Sequence, residues 1–230
     1  MAPESTAPDA TAPGTTASDT TAPDRGARGG VAPHPTARWW VPTAVLALTV
    51  LQLAVGTFAS DLQQFEGKAF GARLVAYPLM MLVVPGVWWL VHRGREVDIP
   101  WGAFALVMAP FLIDVTGNTL DLYDSVVWWD DANHFVNWAL LCGGLGLLLL
   151  DGVRMPWVRV LVVTGLGAVL AIGWELGEWY TFIRHGTELD TAYQDTLGDE
   201  ALGTLGALLA GLLLRRGGRQ DGVPTRPAGR

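Results

Sequence analysis

The sequence predicts an all-α fold: a polytopic membrane helix bundle of about six transmembrane helices, with both termini cytoplasmic. Three observations lead there. Half of the 230 residues are apolar and only 16% are charged, which is too apolar for an ordinary soluble domain. The apolar residues fall into six runs, and a span needs about 20 of them. Lys and Arg collect in alternate connections, as the positive-inside rule demands. The 11 tryptophans often flank polar connections, as in interfacial aromatic belts. A net charge of −7 argues against a nucleic-acid partner. One cysteine, Cys142, cannot supply a disulfide framework or a thiolate metal site within one chain. It reads as a small buried hydrophobe.

Residues 1–38 are rich in Ala, Pro, Thr, Ser and Gly. They cannot bury enough surface to offset ordering, so a disordered cytoplasmic tail is expected. The transmembrane domain is expected over residues 39–216, and residues 217–230 read as a flexible basic cytoplasmic tail. The first span is Trp39–Ser60. The second is Phe70–Val91, with Pro78 and Pro85 inside it; membrane helices tolerate such breaks. The third starts at Pro100 and is purely apolar only to Ile113. To cross, it must continue through Asp114 and Asn118 and on to Asp121. The fourth runs from about His134 to Leu150 and the fifth from Trp157 to about Tyr180. The last apolar run, Ala201–Leu214, is again short, so its helix must begin near Asp195.

Arg93 and Arg95, then Arg154 and Arg159, then Arg215, Arg216 and Arg219 mark the cytoplasmic connections. Lys68 and Arg73, between the first two spans, are the minor violation. The other two outer connections, 114–131 and 175–200, are acidic. Counting 1.5 Å per residue from each inner end puts Asp114, His134, Glu175, Asp195 and Asp199 roughly 20–28 Å up, in the outer leaflet. Positions three or four apart share a helix face. Asp114, Asn118 and Asp121 therefore form one stripe. Asp131 with His134, Glu175 with Glu178, and Asp195 with Asp199 form three more. An ionised Asp facing mid-membrane lipid costs about 3 kcal/mol, so these groups should face inward. There they need protons, water or a cation. Carboxylates with one imidazole suit Mg²⁺, Mn²⁺ or Ca²⁺, or Zn²⁺ where more histidines join.

The metal-ligand candidates are thus Asp114, Asp131, His134, Glu175, Glu178, Asp195 and Asp199, with Asn118 as a further polar site residue. His134 and Glu175 are the candidate catalytic bases. The plainer reading assigns Asp121, Asp124, Asp130, Glu188 and Glu200 to solvated loops. It assigns Trp128, Trp129, Trp174 and Trp179 to interfacial anchoring, and Gly173 with Gly177 to helix packing. The zinc-protease HExxH, the GxSxG elbow and the Walker loop do not occur.

The stretches "DVTGNTLDLYD", "WWDDANHFVNWAL", "GWELGEWY" and "DTAYQDTLGDEALGTLGA" resemble the YjdF-type bacterial inner-membrane proteins. They are distantly similar to VanZ-like proteins. The resemblance covers roughly residues 70–214, and its signature positions match Asp114, Asn118, Asp131, His134, Glu175, Glu178, Asp195 and Asp199. Asp199 stands where the VanZ pattern has Asn, and Glu178 where it has Gln, which favours the YjdF type. The resemblance implies a multi-pass protein of the bacterial plasma membrane, part of the bacterial envelope, with no established activity. Three functions stay open. The first is a divalent-metal-dependent enzyme acting on a lipid-linked or phosphorylated envelope substrate. The second is an ion- or proton-coupled transporter. The third is a non-catalytic, partner-binding envelope protein.

Overall fold

A computed structural model describes residues 39–59, 62, 65, 67–181, 183–185 and 191–217. Most of both expected tails, and Glu188, lie outside the described residues. The chain is all-helical over the described residues: α1 (Trp40–Phe58), α2 (Phe70–His92), α3 (Trp101–Thr119), the single turn α4 (Leu122–Ser125), α5 (Trp129–Leu149), α6 (Pro156–Thr181) and α7 (Ala192–Gly217), with a short 3₁₀ turn at Ile183–His185. Six of these helices are long and apolar enough to cross a membrane.

The expected spans correspond to the six long helices, with differences at the ends that matter for the polar residues. The third helix does continue through Asp114 and Asn118, but it stops at Thr119. Asp121 therefore does not extend the α3 stripe. It takes a left-handed conformation at φ 58° and opens α4 instead; Asp is among the residues that tolerate that region. The fourth span starts five residues earlier than expected, at Trp129. That places Asp130 in the first turn of α5 rather than in a loop.

The helices pack in two groups. α1 lies against α2 and α3; α7 lies against α5 and α6; α3 and α5 join the two groups. Without a hydrophobic drive between helices in lipid, close approach depends on small residues. A Cβ placed at Gly144 of α5 would stand 2.8 Å from the Ala103 carbonyl oxygen of α3. One at Gly206 of α7 would strike the Phe135 carbonyl oxygen of α5, and one at Gly167 of α6 would strike Ala207 of α7. Gly203 accommodates the Trp138 ring. Gly173 and Gly177, expected to serve packing, face no atom within 4 Å that a Cβ would meet. They lie on the outside of this bundle. Cys142 is fully buried in the α5–α6–α7 core beside Trp138, Val163 and Ala207. Leu53, Phe70, Tyr77 and Val115 form the corresponding core of α1–α3.

Candidate functional site

The polar residues segregate into two networks at the same end of the bundle. The first joins α2, α3 and α4. Asp114, one turn and a half before the end of α3, accepts hydrogen bonds from four side chains. Arg73 Nη1 approaches Oδ2 at 3.1 Å and the Tyr77 hydroxyl at 2.6 Å; the Tyr123 hydroxyl reaches Oδ1 at 2.8 Å and Asn118 Nδ2 at 3.3 Å. Asn133 of α5 donates to the Tyr123 oxygen at 2.7 Å, and Asn137 donates to Asn133 Oδ1 at 3.3 Å. Burial and the Asp114 carboxylate push the Tyr123 phenol far above its ordinary range, so it keeps its proton and remains a donor. Above this knot, Lys68 reaches Asp121 at 2.8 Å and Asp124 at 2.6 Å. Burial opposes the Lys68 charge, but its two carboxylate partners outweigh that and hold its pKa above the ordinary value. The Lys68 hydrogen bond holds Asp121 below the usual carboxylate range.

Two expectations change here. Asp114 was grouped with His134 as a ligand of one ion, with Asn118 beside it; the structure gives Asp114 an Arg and two phenols instead. Lys68 and Arg73 were set aside as violations of the orientation rule, yet they are the counter-ions of this region. Arg73 pairs with Asp114, and Asp121 and Asp124, read as merely solvated, are the partners of Lys68.

The second network joins α5, α6 and α7 around His134. Its Nδ1 lies 2.9 Å from Asp199 Oδ1 and 3.7 Å from Asp130 Oδ1; its Nε2 lies 3.6 Å from Glu175 Oε1. Two sets of ligand atoms lie within 4.8 Å of one another: Asp130, His134 and Asp199, and His134, Glu175 and Glu178. Glu175 and Asp199 are buried. The helix spacing expected of Glu175 and Glu178 puts both on the face of α6 that meets α5. Asp131 and Asp195, expected as ligands, are exposed and belong to neither set. Asp131 follows Asp130 by one residue, about 100° around the helix, and the earlier start of α5 turns Asp130 rather than Asp131 towards His134. Asp130 is the residue that sequence reasoning missed. Both Asp130 and Asp131 precede His134 by about one turn in the sequence, and the ligand role was expected of Asp131.

Charge separates the two networks. Asp114 has an Arg in contact, and Asp121 and Asp124 share a Lys. Among the described residues, Asp130, Glu175, Glu178 and Asp199 gather around one imidazole, and Arg73 acts on Glu178 only through its longer-range field. Geometry also orders the imidazole. Nδ1 stands 2.9 Å from Asp199 Oδ1 and 3.3 Å from the Asp130 carbonyl oxygen, both acceptors, so Nδ1 carries a proton. In the neutral ring that leaves the Nε2 lone pair facing Glu175. At 3.6 Å that contact is too long for a hydrogen bond. It is close to the separation of about 3.4 Å between two ligand atoms that share one tetrahedral ion at typical bond lengths. Among the tryptophans expected at the interface, Trp128 and Trp179 are exposed, while Trp174 packs on the core. Trp129 sits over Gly117 and buries its indole N–H.

No curated protein and no solved structure matches the chain. One family model does, over residues 45–219, and therefore over five whole spans, all but the start of α1, and both polar networks. Its description is "Predicted membrane protein (DUF2238)", and its usual name is the YjdF name that the sequence motifs resemble. The chain thus belongs to the DUF2238 family of predicted membrane proteins.

Proposed function

We propose that this chain is a multi-pass membrane metalloenzyme whose ion is held by His134 Nε2, Glu175 and Glu178. The observation that carries the reading is the orientation of His134. A metal-bound histidine characteristically donates its other N–H to a carboxylate, which fixes the tautomer and raises ligand basicity. Asp199 stands in that position, 2.9 Å from Nδ1. One nitrogen and two carboxylates suit Zn²⁺ or Mn²⁺ better than all-oxygen Ca²⁺ or Mg²⁺. Three protein ligands leave a coordination position open, the pattern of catalytic rather than structural sites. A bound ion would supply a Lewis acid and an acidified water. Asp130, half-buried beside the ring, is placed to take a proton there.

The positive-inside rule puts this end of the bundle on the outer side of a bacterial plasma membrane, with both termini cytoplasmic. The site's neighbours are then the outer leaflet and the envelope. The proposed substrate class is a phosphorylated, lipid-linked envelope component, whose phosphoryl oxygens the ion meets. The distant VanZ likeness of these motifs is in keeping with an envelope setting. The other halves of α5, α6 and α7 are nearly free of charge, which favours a one-sided site over a transport path.

The test is metal content of the purified full chain, followed by phosphate release from phosphatidic acid vesicles. The reading expects about one Zn²⁺ or Mn²⁺ per chain. That ion is lost in His134→Ala and Glu178→Gln but kept in Arg73→Gln. Equal metal content in wild type and His134→Ala would refute the site. Metal bound without any metal-dependent release from the vesicles would refute the enzyme and leave the ion structural.

A further inference from the structure

The end of the bundle remote from both polar networks holds a different feature. A cavity of about 280 Å³ lies between α1, α2 and α3. Leu46 of α1, Leu82, Trp88 and Trp89 of α2, and Phe104 and Met108 of α3 are among its walls. Its size is at the lower edge of small-molecule sites, enough for a segment of chain. Part of its wall is braced by ring contacts. Trp88 meets Phe104 edge-on at 5.7 Å, His92 stacks on Trp88 at 4.5 Å, and Trp101 meets Phe104 at 6.2 Å. A wall of this kind is formed in advance and loses little freedom when filled.

The rim carries both signs of charge. The Arg93 guanidinium lies over Trp89, 5.4 Å from the ring centroid, and Trp89 itself lines the cavity. Arg95, Glu96 and Asp98 follow in the connection to α3, and all four charged residues are exposed. Asp98 directly precedes Ile99, which also lines the cavity. A hydrocarbon slot between membrane-spanning helices, with a connection of two cations and two carboxylates running from Trp89 to Ile99 at its rim, suits a zwitterionic amphiphile. That molecule carries an acyl chain, a phosphate and a compact ammonium.

We propose that this cavity binds one acyl chain of an aminophospholipid of the phosphatidylethanolamine class. Arg93 and Arg95 meet its phosphate, and Glu96 and Asp98 its primary ammonium. A trimethylated ammonium cannot donate the hydrogen bonds that a carboxylate accepts, and phosphatidylglycerol offers no cation to Asp98. The site therefore discriminates among headgroups that share the same tails. It is independent of the metal centre, since none of its residues belongs to the His134 cluster.

The experiment is lipid retention by the full chain, read by native mass spectrometry. The protein is released from nanodiscs holding equal parts of palmitoyl-oleoyl phosphatidylethanolamine, phosphatidylcholine and phosphatidylglycerol. The wild type should retain phosphatidylethanolamine at roughly fivefold excess over either competitor, the size expected of a pair of exposed charge contacts. Thr43→Trp, which fills the cavity from its exposed edge, should abolish retention. Arg93→Gln with Asp98→Asn should keep a bound lipid but erase the preference. Retention of all three lipids in proportion to their supply, or unchanged retention in Thr43→Trp, would mean annular lipid only and overturn the proposal. Preferential phosphatidylglycerol, or a dimer that Thr43→Trp dissociates, would overturn it equally. His134→Ala should leave retention unchanged, which separates this outcome from any failure at the metal centre.

Discussion

Asp114 and Asp199 are both aspartates carried into a membrane helix near the same end of the bundle, yet they meet opposite surroundings. Asp114 touches a guanidinium, two phenols and an amide, so each of its oxygens has donors and its charge has a counter-charge. Asp199 is more deeply buried, at 3% exposure, and its hydrogen-bond partner is an imidazole that Asp130, Glu175 and Glu178 also approach. In the first network the carboxylate of Asp114 is fully partnered, and in the second the carboxylates outnumber the donors in contact with them. Completeness marks a structural element. Buried excess charge marks a place that expects a further cation.

The sharpest way to break this comparison is to remove a partner from the complete network. Arg73→Ala leaves Asp114 half-buried without its charge and should cost about 3 kcal/mol, read as loss of thermal stability in mild detergent. Arg73→Met with Asp114→Leu should recover most of it, because an apolar pair of similar volume replaces a satisfied ion pair at little cost. A single variant as stable as wild type would mean that the pair is not a structural lock.

With the ion proposed for the second network, its removal should cost slightly less. Saturating metal at about 100-fold over its Kd stabilises the folded chain by about 2.7 kcal/mol, so chelation should lower the melting temperature of wild type. The same chelator should leave His134→Ala unmoved. In the stripped protein, Glu178→Gln should raise the melting temperature, since it removes one of several like charges. The opposite sign, with a melting temperature lowered by Glu178→Gln, would show that the cluster is self-sufficient and the contrast false.

Asp199→Asn tests the orienting bond. It should keep the metal but weaken its binding about 10–100-fold, whereas Glu178→Gln removes a ligand. Identical metal affinities for the two variants would contradict the division between ligand and orienter.

The smallest effect belongs to the Lys68 bridge, which is exposed on its acidic side. Asp121 is held below its usual pKa, so its contribution is present above the ordinary carboxylate range. It is lost as the pH falls through the still lower folded value. Lys68 is held above its usual pKa, so its contribution is present below the ordinary lysine value and fades as the pH rises through the folded one. The difference in melting temperature between wild type and Lys68→Met should therefore be a plateau at neutral pH that declines at both extremes. A difference that does not depend on pH would assign Lys68 to packing alone.

The six long helices were legible because apolar run length and polar punctuation are local properties. The need for α3 and α7 to reach into acidic sequence was legible for the same reason. Partnership was not. Arg73 and Asp114 stand 41 positions apart, and no periodicity within either helix says that they meet. An orientation rule counts Arg73 as an exception, although an Arg beside a buried Asp needs no such excuse. Asp130 was passed over for its neighbour: both precede His134 by about one turn, and a helix expected to start only near His134 gives no phase to choose between them. The grouping of His134 with Glu175 and Asp199 was anticipated from depth. The exclusion of Asp114 could not be, since depth orders residues along the membrane normal and says nothing about which neighbour faces which.

The backbone crossing at Gly206 gives the second network a further property. Phe135 follows His134 directly, and Gly206 lies two turns beyond Asp199 on α7. There the two helices touch main chain to main chain, with no side chain between them that could change rotamer. The gap between the imidazole and Asp199 is thus set by main chain rather than by adjustable side-chain packing. A carboxylate held at a fixed distance from the ring orients it in one way. An alanine at position 206 would not only strain the fold; it would draw Asp199 away from the imidazole and free the ring to turn.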